Sequence, residues 1–304
     1  MDNRLIWFNG EIMNVNDAKI SVLSPTAQFG ANVFEGIRCY WNEDRQELYA
    51  FRLYDHYKRL LNSMKMFRME LKYSIEDFKK ALVDIVKANN YKEDIAVRQT
   101  VFIDGFGSWF AEGPVGMFVA PIPKARTLPL GKEGYTACIS SWERISERNL
   151  SPKVKVGANY INSRMAQLEA KQNGYDTAIF MNSQGKVSEG PGSCLFIVRD
   201  GKLHTPLLTD SILESITRDS IIRIAKDILN LNVIERSIDR TELYIADEIF
   251  LCGSAMEIVS IIEIDGFKVP YKADSITKKI LKLYLEIARG ELLLSDKWVT
   301  SIYE

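Results

Sequence analysis

Apolar residues dominate Leu5-Ile6-Trp7-Phe8 and Glu11-Ile12-Met13, on either side of Asn9-Gly10. That pattern predicts a tight hairpin, with Asn-Gly supplying the positive φ angles of a type I′ turn. Strands are expected next at Gly36 to Trp41 and Leu48 to Arg52. Helical spacing takes over at about residues 54 to 67 and 74 to 89, the second carrying Ile75, Phe78, Leu82, Ile85 and Val86 on one face. Strands at Ile95 to Ile103 and Val115 to Pro121 complete this half. The proline-dense stretch from Pro121 to Gly131 continues neither a helix nor a central strand and reads as a linker. Beyond it the pattern predicts a strand at Tyr135 to Ser141 and a helix from about Asn159 to Asn173 that Gly174 terminates. Strands at Thr177 to Met181 and Cys194 to Arg199, a helix at Thr217 to Asn230, strands near 248 and 258, and a helix near 275 to 290 follow. The expected division is a small domain over 1–122, a linker over 123–133 and a large domain over 134–304.

A chain of 304 residues, 46% hydrophobic, is long enough for two cored domains. Its formal net charge of −1, with acidic and basic residues interspersed, gives no electrostatic reason for a nucleic-acid or membrane-surface partner, so a small-molecule ligand is expected. Cys39, Cys138, Cys194 and Cys252 form no CxxC pair, which points to neither a zinc site nor a disulfide framework. With only His56 and His204, little room remains for a histidine metal cluster or a Ser-His-Asp triad, and no metal is expected. The N-terminus leads into the hairpin pattern instead of a signal segment, and no apolar run reaches membrane-spanning length. A cytoplasmic location is the expectation.

The candidate chemistry centres on Lys155, in Lys155-Val156-Gly157-Ala158-Asn159-Tyr160 at the mouth of a helix. Most lysines are solvated surface charges. Here Gly157 and Ala158 remove bulk just after the amine, as a planar cofactor would require, and Tyr160 follows in the first helical turn. Glu189 stands between Val187 and the glycines Gly190 and Gly192, at an expected strand end; its ordinary fate would be a turn glutamate in water. Together, a lysine able to condense with a carbonyl and a carboxylate able to keep a ring nitrogen protonated are the minimal equipment of pyridoxal phosphate chemistry. A phosphate needs helix-start N–H groups, a hydroxyl and a cation. The first two are offered by Ser215-Ile216-Thr217, and the turn Gly253-Ser254-Ala255 is a second candidate, although any helix N-cap looks similar. Arg59 supplies the cation, unless it is half of an i,i+4 ion pair with Asp55.

Val33-Phe34-Glu35-Gly36-Ile37-Arg38, His56-Tyr57-Lys58-Arg59-Leu60, Lys155 to Tyr160, Ser188-Glu189-Gly190, Ile216-Thr217-Arg218-Asp219 and Cys252-Gly253-Ser254-Ala255 fall in the order seen in branched-chain aminotransferases. The chain resembles that family over nearly its whole length. The resemblance implies fold type IV of the pyridoxal phosphate enzymes: a mixed α/β and α+β architecture with a small α/β N-terminal domain, a larger pseudo-barrel C-terminal domain, the cofactor between them, and a site completed across a homodimer or higher homo-oligomer. It further implies that Lys155 forms the Schiff base, Glu189 pairs with the ring nitrogen, and Tyr160 bonds the ring hydroxyl. Arg59, Ile216, Thr217 and Ser254 would hold the phosphate. Ser254 and Ala255 would receive the substrate carboxylate, with Phe34, Gly36 and Arg38 closing the pocket and Arg98 or Arg38 reading the distal carboxylate of 2-oxoglutarate. The implied reaction is a ping-pong transfer of an amino group from an L-amino acid, branched-chain or a related hydrophobic one, to a 2-oxo acid.

Departures from the family pattern lie on the substrate side. Phe29 stands where a tyrosine is usual, Ala96-Val97-Arg98-Gln99 lacks another, and Glu214-Ser215 replaces Pro-Gly before the phosphate helix. Two lost tyrosines motivate the hypothesis of a pocket reshaped for a donor other than leucine, isoleucine or valine. A lyase acting on aminodeoxychorismate and a D-amino-acid or specialised biosynthetic transaminase remain alternatives on the same fold, and a non-enzymatic homologue would lack the need for these groups.

Overall fold

The structure, a computed structural model, describes residues 3–126, 128 and 132–304. Within the expected linker, residues 127 and 129–131 lie outside the described residues. The chain forms two compact units, one of Met1–Ala125, Val154–Ala158 and Glu286–Glu304, the other of Arg126–Lys153 and Asn159–Leu285.

The first unit opens on the expected hairpin, β1 (Leu5–Phe8) and β2 (Glu11–Asn14). Asn9 and Gly10 have φ of 49° and 105°, as a type I′ turn requires. A short helix α1 (Pro25–Phe29) precedes β3 (Asn32–Asn42) and β4 (Glu47–Phe51), followed by α2 (Leu53–Met66) and α3 (Ile75–Asn89), β5 (Ile95–Ile103) and β6 (Val115–Pro123). A capping box of Ser74 and Asp77 starts α3. With a terminal strand Val299–Ser301 on β4, the sheet runs terminal strand, β4, β3, β5, β6, β1, β2. Strand alternation gives β3 two faces. Val33, Ile37 and Cys39 enter one core with Leu53, Tyr57, Leu60 and Met64 of α2 and Phe78, Leu82 and Ile85 of α3. Phe34, Gly36 and Arg38 belong to the opposite face.

The second unit carries an eight-stranded sheet. Its elements are β7 (Tyr135–Glu143), α4 (Tyr160–Gln172), β8 (Thr177–Met181), β9 (Cys194–Arg199), β10 (Lys202–Thr205), α5 (Ile216–Arg223), β11 (Val233–Glu235), β12 (Glu248–Gly253), β13 (Glu257–Ile264) and the short β14 (Phe267–Lys268), which pairs with β13. Ala166 and Ala170 of α4 let that helix pack closely on Cys138, Ala178 and Phe180. Gly174, at φ 82°, follows its C-cap as expected. The expected continuous helix to Asn230 instead turns from α geometry into a π-helical stretch, Ile224–Ile228, closed by Leu229 N–H on the Ile224 carbonyl. The hairpin of β9 and β10 was not expected, although its Asp200-Gly201 turn (φ 50° and 70°) carries the same signal as Asn9-Gly10. Among the described residues, no helix is long and apolar enough to cross a membrane.

These units differ from the expected division in two segments. Residues 154–158 lie along β3: the Phe34 N–H donates to the Lys155 carbonyl at 3.0 Å, and Val156 bridges Val33. The C-terminal residues return to β4, where Glu47 accepts the N–H groups of Ile302 (3.0 Å), Tyr303 (2.8 Å) and Glu304 (3.1 Å) as well as that of Leu48 (2.8 Å). Neither attachment has a pattern signature, because each is made between groups far apart in sequence. Glu47→Ala strands these N–H groups and lowers unfolding free energy by about 2–3 kcal/mol, with faster amide exchange at 299–304. Wild-type urea stability and exchange in this variant would show that the carboxylate is not the anchor.

Candidate active site

Lys155 is fixed through its backbone. Its N–H donates to Ser63 Oγ of α2 at 3.2 Å, while its carbonyl is held by Phe34. Its Nζ lies 5.0 Å from the centre of the Phe34 ring, and the Arg98 guanidinium lies over the same ring at 3.9 Å. Arg98 pairs directly opposite Gly36 on β5. A Cβ added to Gly36 would meet nothing within 4 Å, so the strand face beside Lys155 is open. Phe34, Gly36, Arg98 and Lys155 are thus brought together. Arg38 is buried, its Nη1 3.5 Å from the Ala125 carbonyl and its guanidinium 5.1 Å from the Tyr40 ring centre. Gly157 has a reason other than cofactor clearance: a Cβ there would stand 2.6 Å from Asn32 Oδ1.

Asp55 is bonded to Arg52 at 2.6 Å, and the carboxylate that grips Arg59 is that of Glu35. Arg59 donates from Nε to Glu35 Oε1 and from Nη2 to Glu35 Oε2, both at 2.7 Å. His56 Nδ1 reaches the same Oε2 at 2.7 Å. Burial alone would raise the Glu35 carboxyl, but the charge and hydrogen bonds of Arg59, then those of His56, hold it well below the usual carboxylate range. Burial pushes His56 below its ordinary 6.5 against the pull of Glu35, with Arg59 and Lys155 adding to the fall. Sequence reasoning missed Glu35, which sits on the apolar face of β3 between Val33 and Ile37. An acid at such a position calls for a cation, and His56 and Arg59, three apart on α2, share the face that supplies it.

In the second unit Glu189 is 3% exposed, not a turn glutamate in water. Its carbonyl accepts the Phe180 N–H at 2.8 Å. Arg144, just past β7, donates to Oε1 from Nε at 2.9 Å and approaches it with Nη2 at 2.8 Å. The Leu213 N–H donates to Oε2 at 3.2 Å, and burial, followed by the Glu189 charge, keeps Cys194 protonated as a donor to Oε2 at 3.6 Å. Arg144 lies 45 residues from Glu189, and no sequence signal links the two.

The segment after Leu213 leads directly into α5. Ser215 caps it, its Oγ accepting the Arg218 N–H at 3.2 Å, which leaves Ile216 and Thr217, both buried, in the first turn. Arg218 turns to Thr205, the Pro206 carbonyl and Glu235. Glu214 is exposed, so its charge is solvated. Cys194 and Cys252 are direct partners across β9 and β12, and a Cβ on Gly253 would come 3.1 Å from the Gly192 carbonyl. Glu189, in the segment between β8 and β9, thus lies beside the start of β9 and the approach to α5, while Thr217 and Ser254 stand at the start of α5 and the end of β12. Tyr160 opens α4 and is half-exposed at 36%, and Ala255 is exposed in the turn after β12.

The chain belongs to the amino-transferase class IV family, whose profile matches residues 32–264 and so spans both the Lys155 segment and Glu189. Within that class it is similar to branched-chain-amino-acid aminotransferases. It is 36% identical to the probable enzyme of Aquifex aeolicus, over 98% of this chain and 96% of that one. The branched-chain aminotransferase of Thermoproteus uzoniensis, solved with norvaline, superposes with a TM-score of 0.94 at 42% identity, covering 99% of each chain. That of Thermobaculum terrenum, solved in its PLP form, gives 0.94 at 40% identity over 100% of both.

The titrations have one direction. A depressed histidine gives stability that falls as pH drops below its ordinary 6.5, and a depressed carboxyl gives stability that is lost below its ordinary 4.5. His56→Gln, which can still donate to Glu35, removes the first of these losses, so its thermal midpoint stays flatter than wild type between about pH 7 and pH 5. Parallel pH profiles for the two proteins would exclude His56 as the source.

Proposed function

We propose that this chain is a pyridoxal-phosphate-dependent aminotransferase that moves the amino group of a branched-chain L-amino acid to 2-oxoglutarate by a ping-pong route. Glu189 carries the reading: a buried, acceptor-only carboxylate held by Arg144 and Leu213 is the partner a protonated pyridine nitrogen needs. The donor set fits the group in kind, with a primary amine on an open strand face, this carboxylate, a capped helix start with a threonine hydroxyl, and a guanidinium. When bound, pyridoxal phosphate supplies a carbonyl for condensation with amines and a ring that withdraws electrons from the substrate Cα.

Lys155 would hold the cofactor through Nζ, and the same amine, once freed, would be the base that takes the proton from the substrate Cα and later returns it. Glu189 would keep the ring nitrogen protonated, and the Tyr160 hydroxyl would bond the ring oxygen. Arg59, the N–H groups of Ile216 and Thr217, the Thr217 hydroxyl and Ser254 would hold the phosphate. The turn at Ser254 and Ala255 takes the substrate carboxylate, and Phe34 and Gly36 shape the pocket wall. Arg98, or Arg38, meets the distal carboxylate of 2-oxoglutarate. The similar enzymes compared above are all named for branched-chain substrates, which supports leucine, isoleucine and valine over the reshaped pocket expected from Phe29 and Ala96.

The working form is read as a cytoplasmic homodimer. Val22, Phe106, Trp109 and Phe110 are 80%, 80%, 73% and 68% exposed, and Gly107 lies against Pro25, so they share one region of the first unit. Apolar surface of that kind marks an interaction site. Trp109→Asp with Phe110→Asp shifts the mass measured by light scattering toward one chain; a wild-type monomer, or a dimer untouched by the pair, would overturn this reading.

A donor screen tests the reaction. Leucine, isoleucine and valine convert the visible band of the bound cofactor to the pyridoxamine form, and Lys155→Ala lowers that rate at least about 100-fold. Pyruvate release without an acceptor would favour a lyase, conversion by D-alanine alone a D-specific transaminase, and absence of cofactor binding a non-enzymatic homologue.

A further inference from the structure

Glu35 and Arg59 are not equivalent members of a buried pair. The carboxylate side chain is 0% exposed and the arginine 12%, so the anion is the inner partner and the cation the outer one. Three donors, Arg59 Nε, Arg59 Nη2 and His56 Nδ1, converge on the two Glu35 oxygens at 2.7 Å each. Only an acceptor-only group satisfies all three. Side-on pairing also fixes the plane of the guanidinium and its rotation, which one hydrogen bond would leave loose. With the Nε–Nη2 edge held, the direction of the other edge, built on Nη1 and the outer hydrogen of Nη2, is determined.

Packing does not explain the acid. Val33 and Ile37 flank it on the same strand face, and Tyr57, Leu60 and Met64 of α2 pack there. An apolar residue would continue that core, and a buried ion pair is a poor source of stability beside such packing. We propose that Glu35 is a positioning residue, which aims the second edge of Arg59 at a phosphate monoester, the 5′-phosphate of the cofactor. This rests on the reading of Arg59 as a phosphate ligand.

The test compares dissociation constants of full-length apoenzyme for pyridoxal 5′-phosphate and for unphosphorylated pyridoxal, whose ratio is the preference for phosphate. Glu35→Gln turns an N–H pair toward one of the three donors and breaks the side-on grip. The ratio falls about tenfold or more, while pyridoxal affinity stays within a factor of about two. Arg59→Gln lowers the ratio similarly, and the double variant loses less than the sum of the two, because both act on one contact. A preserved ratio in Glu35→Gln with a reduced one in Arg59→Gln overturns the positioning role alone. A preserved ratio in Arg59→Gln overturns the phosphate reading and this inference with it. Equal weakening toward both ligands makes Glu35 merely structural and also overturns it. Should Glu35→Gln not fold, Glu35→Asp keeps the charge, draws it back by one methylene, and must show the same loss of preference.

Discussion

A charge removed from water needs a counter-charge close by, and each unit provides one for the charged group its site depends on. In the first, Glu35 neutralises Arg59; in the second, Arg144 neutralises Glu189. Desolvating one such ion without its partner costs several kcal/mol. The two pairs have opposite polarity. In the proposed reading the acid supports a phosphate-binding cation in one pair, and the arginine supports a ring-binding carboxylate in the other. Each unit can therefore fold with its functional charge already oriented and compensated, so little of a ligand's binding energy is spent on desolvating or ordering these groups.

The alternation of β3 is what separates support from function in the first unit. Successive residues serve opposite faces: Glu35 holds Arg59 beneath the strand, while Phe34 and Gly36 lie beside Lys155 above it. A shift of one residue in the pairing with β5 would exchange these roles throughout. The long register from Asn32 opposite Phe102 to Cys39 opposite Ile95 makes that shift costly.

Much of this was legible in the sequence. Asn9-Gly10, the apolar face of α3 and the limits of β5, β8 and β9 follow from local pattern, and local pattern is what these elements depend on. Lys155, Glu189 and the Ile216-Thr217 helix start stood out because residue type and spacing coincide. Glu35 was overlooked although the acid in an apolar strand and the His56-Arg59 spacing were both visible. Arg144 had no local signal at all, since its partner arrives from the segment between β8 and β9, 45 residues away. At Gly157 the structure adds a neighbour that local pattern does not reveal, since its missing side chain makes room for Asn32. The attachments of residues 154–158 and of the C-terminus were illegible for the same reason as Arg144, being contacts between distant stretches of the chain.

Those attachments limit how the chain can be taken apart. The first unit is assembled from three separate stretches, Met1–Ala125, Val154–Ala158 and Glu286–Glu304. A fragment cut at Ala125 would lack the lysine that lies along β3 and would expose the edge of β4. The two units are therefore not interchangeable modules, and no single recombination point transfers one of them intact to another protein.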